Sequence, residues 1–252
     1  MIKLENTQRI QENKYNLPYH YLVTISENYF SQHKHIKWGY EYSSYVSFIV
    51  NYLKKINFKS LIDIGCGDGK FLNEVNKRIP GKDLTGIDYS ERAVGLAKLM
   101  TPNVKFINKD ITLEYTFGNE KYEVATLIET LEHIKPNKIS IFVNAISDML
   151  NNKAYLLVSV PSENEQVDKH HYQHFNIDKI KKYLSPYFQV MKPYYLNKSN
   201  KGVKRISKVL SNNLFILNNR KLLNWLYGFY NKNYLIADKN NARRIFVICQ
   251  KR

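Results

Sequence analysis

The chain has 252 residues, 44% of them hydrophobic, which is enough to bury one full core, and one large domain is expected. No apolar run reaches the roughly 18 residues of a membrane span, and the polar start "MIKLENTQRIQENKYN" lacks the apolar centre of a secretion signal, so a cytoplasmic protein is expected. The net charge of +16 is concentrated late: the stretch from Tyr195 to Arg252 carries 8 Lys and 5 Arg against 1 Asp. Such a tail suits an anionic partner, whether nucleic acid, a phosphorylated substrate or a membrane surface. A chain-wide bias towards Lys, Asn, Ile and Tyr would also produce it. Two cysteines, Cys66 and Cys249, are too few for a disulfide framework and lack metal-ligand spacing.

Residues 1–58 read as a tyrosine-rich helical cover, with "YSSYVSFIVNYLKKI" placing apolar residues at helical spacing. From residue 59 to 252 the pattern alternates. The strand "SLIDIG" is followed by a helix from about Lys70 to Arg78, then "LTGID", a helix over "SERAVGLAKLM", "VKFINKD" and "YEVATLI". A helix over "ISIFVNAISDML", the strand "AYLLVSV", a helix over "IDKIKKYLSPY", the strand "FQVMKPYYL" and a last strand "RRIFVICQ" complete it. Alternation of this kind predicts an α/β domain with a mainly parallel sheet covered on both faces. Between the last two strands, at about 198–235, the leucines with Ile206, Val209, Leu210, Trp225 and Tyr227 predict two amphipathic helices forming a basic cap.

Three features carry chemistry. "LIDIGCGDGKFL" joins a strand to a helix through Gly65, Gly67 and Gly69, and Lys70 stands where the dinucleotide fingerprint needs its last glycine. Asp63, Asp88 and Asp110 end three successive strands: Asp63 suits a cationic amino acid group, Asp88 a pair of ribose hydroxyls and Asp110 an adenine amino group. "LIETLEHIKP" sets Glu129, Glu132 and His133 at i, i+3 and i+4, positions that share one face if the segment is helical. "DKHHYQHFN" adds His170, His171 and His174. Two carboxylates with imidazoles form a site for Mg²⁺, Mn²⁺ or Zn²⁺, and the same loop without an ion could hydrogen-bond a substrate directly.

On these residues the chain resembles the class I S-adenosylmethionine-dependent methyltransferases over roughly Lys59 to Lys251. The resemblance implies a Rossmann-like seven-stranded sheet with its last strand antiparallel. It implies S-adenosylmethionine held by Asp63, Gly65, Cys66, Gly67, Gly69, Asp88, Tyr89, Asp110, Ile111 and Ile128. "ETLEH" with a downstream histidine looks like the metal site of small-RNA 3'-terminal 2'-O-methyltransferases, which puts Glu129, Glu132, His133 and His174 on the ligand positions; a similar E-x-x-E-H occurs in ubiquinone-pathway O-methyltransferases. "HFNIDKI" departs from the RNA enzymes, and "VPSENEQVDKHHYQHFNIDKIKKYLSPYF" is similar to methyltransferases of bacterial surface-polysaccharide pathways. The implied reaction is O-methylation of a sugar hydroxyl on a nucleotide- or lipid-linked, phosphate-bearing glycan, with His133 or His171 as general base. RNA and quinone or phenolic acceptors are the alternatives, and peripheral membrane contact is a further option. "PYHYL" and "KWGYEY" are expected to help cover the cofactor.

Overall fold

The structure, a computed structural model, describes residues 8, 24–26, 29–31, 33–113, 120–212, 214–215, 217 and 219–252. Apolar runs with both faces largely buried become the central strands β3 (Ser60–Ile64), β4 (Asp83–Asp88), β6 (Tyr122–Ile128) and β7 (Leu150–Pro161), and the half-exposed β5 (Lys105–Asn108) forms one edge, all parallel. The order along the sheet is β5-β4-β3-β6-β7-β10, with β10 (Ala242–Lys251) antiparallel to β7. The chain winds outward from β3 to β5, then returns to start β6 on the other side of β3. This reversal opens a crevice beyond the carboxyl ends of β3 and β6, where open α/β sheets bind ligands.

The stretch "FQVMKPYYL" forms two strands, β8 (Phe188–Val190) and β9 (Tyr194–Lys198), both antiparallel to β10. Pro193 lies between them, and a residue without an N–H cannot continue a ladder. Eight strand segments therefore occupy the seven expected positions.

Helices cover both faces. On one side α1 (His33–Leu53), α2 (Lys70–Arg78) and α3 (Glu91–Met100) bury Tyr45, Ile49, Leu53, Leu72, Val75 and Ala97 against the sheet. On the other, α4 (Ile139–Asp148) and α5 (Ile177–Leu184) bury Phe142, Ile146, Ile180 and Leu184. The N-terminal region is thus part of a core layer, and it also contains an unpredicted hairpin, β1 (Thr24–Ser26) with β2 (Tyr29–Ser31). "PYHYL" lies outside the described residues.

The cap is present as predicted between β9 and β10: α6 (Lys201–Leu210) and α7 (Arg220–Tyr234), N-capped by the side chains of Asn200 and Asn219. Ile206 and Leu210 turn inward with Val203 and Tyr230, whereas Val209 and Trp225 face solvent. Tyr40 of α1 seats the cap, its ring 4.7 Å from that of Tyr230 and its hydroxyl 3.1 Å from Ser207 Oγ. No helix among the described residues is long and apolar enough to cross a membrane.

Candidate active site

The turn after β3 is built from glycines in the left-handed region, Gly65 (φ 74°), Gly67 (φ 54°) and Gly69 (φ 77°). The N–H groups of Gly65 and Cys66 both donate to the Ile87 carbonyl, at 2.7 and 2.9 Å, which fastens the turn to the end of β4. A Cβ on Gly65 would sit 2.4 Å from Thr130 Cγ2, so the chain leaving β6 can approach only bare backbone. Asp88, 6% exposed, accepts from Gly67 N and Ser90 N, both at 2.9 Å. Asp110 accepts from the N–H and hydroxyl of Thr112 at 2.9 and 2.7 Å.

Asp88, Asp110 and Thr112 line one side of an open cleft, with Gly65, Tyr89 and Thr130. Gln8 also lines it, its carbonyl accepting from the Tyr89 hydroxyl at 3.3 Å; here the N-terminal region reaches the crevice. Asp63 does not line the cleft. It is 2% exposed and accepts from Thr126 Oγ at 2.6 Å on the neighbouring strand. Burial, reinforced by the charge of Asp88 and opposed by Thr126, pushes its carboxyl up to about 7. Cys66 is buried, and burial drives its thiol well above the ordinary range. Ile111 is also buried, and neither it, Gly67, Gly69 nor Ile128 is among the cleft-lining residues.

The opposite side is formed by the loop after β6, and here the expected helix is absent. Glu129 has φ 51° and its N–H still donates to Ser159 O at 2.9 Å, so the β6–β7 ladder runs one residue past β6 before the chain turns left-handed. Leu131–His133 coil as a 3₁₀ turn, with another at Pro136–Lys138 before α4, and the three polar residues do not share a helix face. The Glu129 carboxylate accepts from Ser159 Oγ at 2.8 Å and Arg244 Nε at 3.0 Å, with the guanidinium 4.5 Å above the Tyr45 ring. Sequence reasoning missed Arg244 because nothing local links it to Glu129.

Glu132 is 1% exposed, and its Oε2 has no hydrogen-bond partner among the described residues. Burial, and then the charge of Glu129, hold its carboxyl well above the usual range. Glu132, His133 and His171 bring one ligand atom each within 4.8 Å of one another. With the rings neutral, the surrounding carbonyls set the tautomers, since a carbonyl only accepts. His133 Nδ1 donates to His170 O at 2.8 Å, leaving Nε2 as the nitrogen with the lone pair. His174 Nδ1 donates to Glu165 O at 2.9 Å, so its Nε2 accepts, and the donor is His171 Nδ1 at 2.9 Å. Nε2 therefore carries the lone pair in His171 too. His174 stands behind His171 and orients it, as outer partners orient metal-ligating imidazoles. Tyr172 N donates to Glu132 O at 2.8 Å and joins the two loops. Ile134, Lys135, Lys138 and Tyr172, unassigned from sequence, complete the lining with Glu129 and His133, while Glu132 and His171 are not among the lining residues.

A family model for a methyltransferase domain matches residues 7–197. A carboxy-S-adenosyl-L-methionine synthase from Nautilia profundicola is 36% identical over 115 residues, covering 43% of this chain and 48% of that protein. A ubiquinone biosynthesis O-methyltransferase from Nitrosomonas europaea is 29% identical over 124 residues, 46% of this chain and 51% of that protein. The chain spans about half the length of these curated relatives. The solved magnesium protoporphyrin IX methyltransferase from Synechocystis PCC 6803 with bound S-adenosylmethionine superposes over 100% of both chains with a TM-score of 0.60 at 15% identity, a likeness of fold alone.

Proposed function

We propose a specific reaction for this chain, which belongs to the class I S-adenosylmethionine-dependent methyltransferases: transfer of a methyl group to a hydroxyl of a phosphate-bearing sugar intermediate, nucleotide- or lipid-linked. The observation that carries it is His133, which lines the same cleft as Gly65 of the glycine turn and whose ligand atom lies within 4.8 Å of those of Glu132 and His171 behind it.

When bound, S-adenosylmethionine supplies an electrophilic methyl on a sulfonium. The donor set suits it: Asp88 and Asp110, both lining the cleft, would accept from ribose hydroxyls and an amino group, and the glycine turn would let a nucleoside approach the backbone. A hydroxyl is a weak nucleophile until its proton leaves, and an imidazole lone pair held in place is a suitable acceptor. His171 Nε2 takes the proton; His174 and the Glu165 carbonyl fix the ring and support the charge it gains. Lys135 and Lys138 line the same cleft and favour an acceptor carrying phosphate.

The same three residues also fit a divalent ion, on the strength of the orphaned Glu132 oxygen and the lone pairs at both Nε2 atoms. Glu132, His133 and His171 would hold it, with His174 as an orienting residue rather than a ligand, and its chemistry there would be to lower the pKa of the acceptor hydroxyl. An imidazole on an ion is no base, so the two roles exclude each other at His171. The similarity to ubiquinone biosynthesis O-methyltransferases favours a phenolic hydroxyl as the second acceptor reading.

Methyl transfer is to be assayed with sugar nucleotides, lipid-linked sugars, catechols and short RNA, with Mn²⁺ and after exhaustive chelation. Transfer to a sugar hydroxyl supports the reading, and loss on chelation assigns the ion. Glu132→Gln is expected to lower turnover by roughly 10² or more while S-adenosylmethionine affinity by calorimetry stays near that of the parent. Equal loss of both, or transfer confined to RNA or catechol, refutes it.

A further inference from the structure

The cap has an unusual surface. From 198 to 237 the chain carries 8 basic residues, at Lys198, Lys201, Lys204, Arg205, Lys208, Arg220, Lys221 and Lys232, and no acidic one. In α6 the apolar Val203, Ile206 and Leu210 are buried, while Lys201, Lys204, Arg205 and Lys208 stand at i, i+3, i+4 and i+7, one solvent-facing stripe. In α7 the inner stripe of Leu223, Leu226, Tyr230 and Tyr234 packs against α6. A second apolar stripe points outward: Leu222 is 41% exposed, Trp225 60% and Phe229 40%. The Trp225 and Phe229 rings stack at 5.6 Å. Between the helices, Leu214 is 91% and Phe215 53% exposed. Lys221 and Lys232 fall within about 40° of Trp225 around the α7 axis, so charge and apolar side chains share one face.

We infer that the cap is a docking element for an anionic lipid bilayer, with Leu214, Phe215, Leu222, Trp225 and Phe229 entering the acyl boundary and the lysines and arginines on the headgroups. A second copy is disfavoured, because pairing this face with itself would set two acid-free basic surfaces together. Nucleic acid would account for the charge and for stacking on Trp225, but Leu214 and Leu222 have no plane for a base to stack on and gain only from an apolar phase. An apolar stripe bordered by Lys and Arg is what an interfacial helix requires. The inference goes beyond the proposed reaction and holds whichever hydroxyl is methylated.

The test is flotation of the full chain with vesicles of phosphatidylcholine alone and of phosphatidylcholine with phosphatidylglycerol, in a Trp38→Phe background so that emission reports Trp225. The protein is expected to float with the anionic vesicles, weakly or not at all with the neutral ones, with blue-shifted emission and quenching by brominated acyl chains. The triple change Lys204→Ala, Arg205→Ala, Lys208→Ala is expected to weaken binding roughly a hundredfold, and Leu222→Ser with Phe229→Ser to remove the blue shift. Both variants keep parental S-adenosylmethionine affinity, which certifies their folding. Failure to float at low salt, unshifted emission, a dimer burying Trp225, or oligonucleotide binding tighter than vesicle binding overturns the inference, and none of these touches the methyl-transfer assay.

Discussion

Asp63 shows how one buried side chain sets the pH response of the fold. Its carboxyl titrates near 3.8 in an unfolded chain and at about 7 here, chiefly because burial disfavours the charge. Between those values the folded state holds a proton that the unfolded state has released, so stability falls as pH rises through the window and the loss is complete above about 7. The gap corresponds to roughly 4 kcal/mol. Asp63→Asn keeps an oxygen for the Thr126 hydroxyl and removes the charge. Without cofactor, the variant is expected to melt higher than the parent above pH 7 and to converge with it near pH 4; a pH-independent difference would refute this account. That Asp88 ends β4 was legible in sequence, because an acid closing an apolar run has few places to point, whereas Asp110 lies two residues beyond the end of β5; both line the cleft. That His171 rather than His174 brings a ring nitrogen within 4.8 Å of Glu132 and His133 was not legible, because it depends on how the histidine loop folds. The Arg244–Glu129 pair, 115 residues apart, was equally invisible.

Among elements, the turn after β3 is where geometry is most demanding, and the glycines separate backbone strain from crowding. Gly65 and Gly81 have nearly equal φ, 74° and 75°, but a Cβ on Gly81 meets nothing within 4 Å while one on Gly65 meets the Thr130 side chain at 2.4 Å. Gly81→Ala therefore incurs only the left-handed conformation, about 1 kcal/mol. Gly65→Ala adds a displacement of the β6 loop and is expected to cost several times more and to weaken S-adenosylmethionine binding at least tenfold, read by thermal unfolding and calorimetry. Equal effects of the two substitutions would show that the Thr130 contact is soft. The alternation of strand and helix was legible because doubly buried strands are continuous apolar runs. Two elements were not. "ETLEH" has helical spacing, but the hydrogen bond from Glu129 N to Ser159 O prolongs the ladder and leaves room for a single 3₁₀ turn. "FQVMKPYYL" reads as one strand because β propensity on either side of Pro193 masks the donor it lacks.

Across the whole molecule, one chain of ion pairs links the N-terminal helix to the cleft. Glu41 of α1 is 4% exposed and accepts from Arg243 Nη1 at 2.7 and 2.5 Å; Arg244, next along β10, reaches Glu129 at the cleft; and Tyr40, beside Glu41, seats the cap. A buried carboxylate that neutralises two guanidiniums is costly to remove, because the cations keep the desolvation it had offset. Glu41→Gln is expected to cost about 3 kcal/mol and to accelerate hydrogen exchange in α1, α6 and the Glu129 loop together, since all three depend on the same link. The Lys105–Glu120 pair is the control: both side chains are more than half exposed, water already screens them, and Glu120→Gln should leave the melting temperature unchanged. If Glu41→Gln loosened α1 alone, with the Glu129 loop as protected as before, the cleft would be independent of the N-terminal helix and Arg244 would hold Glu129 without help from Glu41.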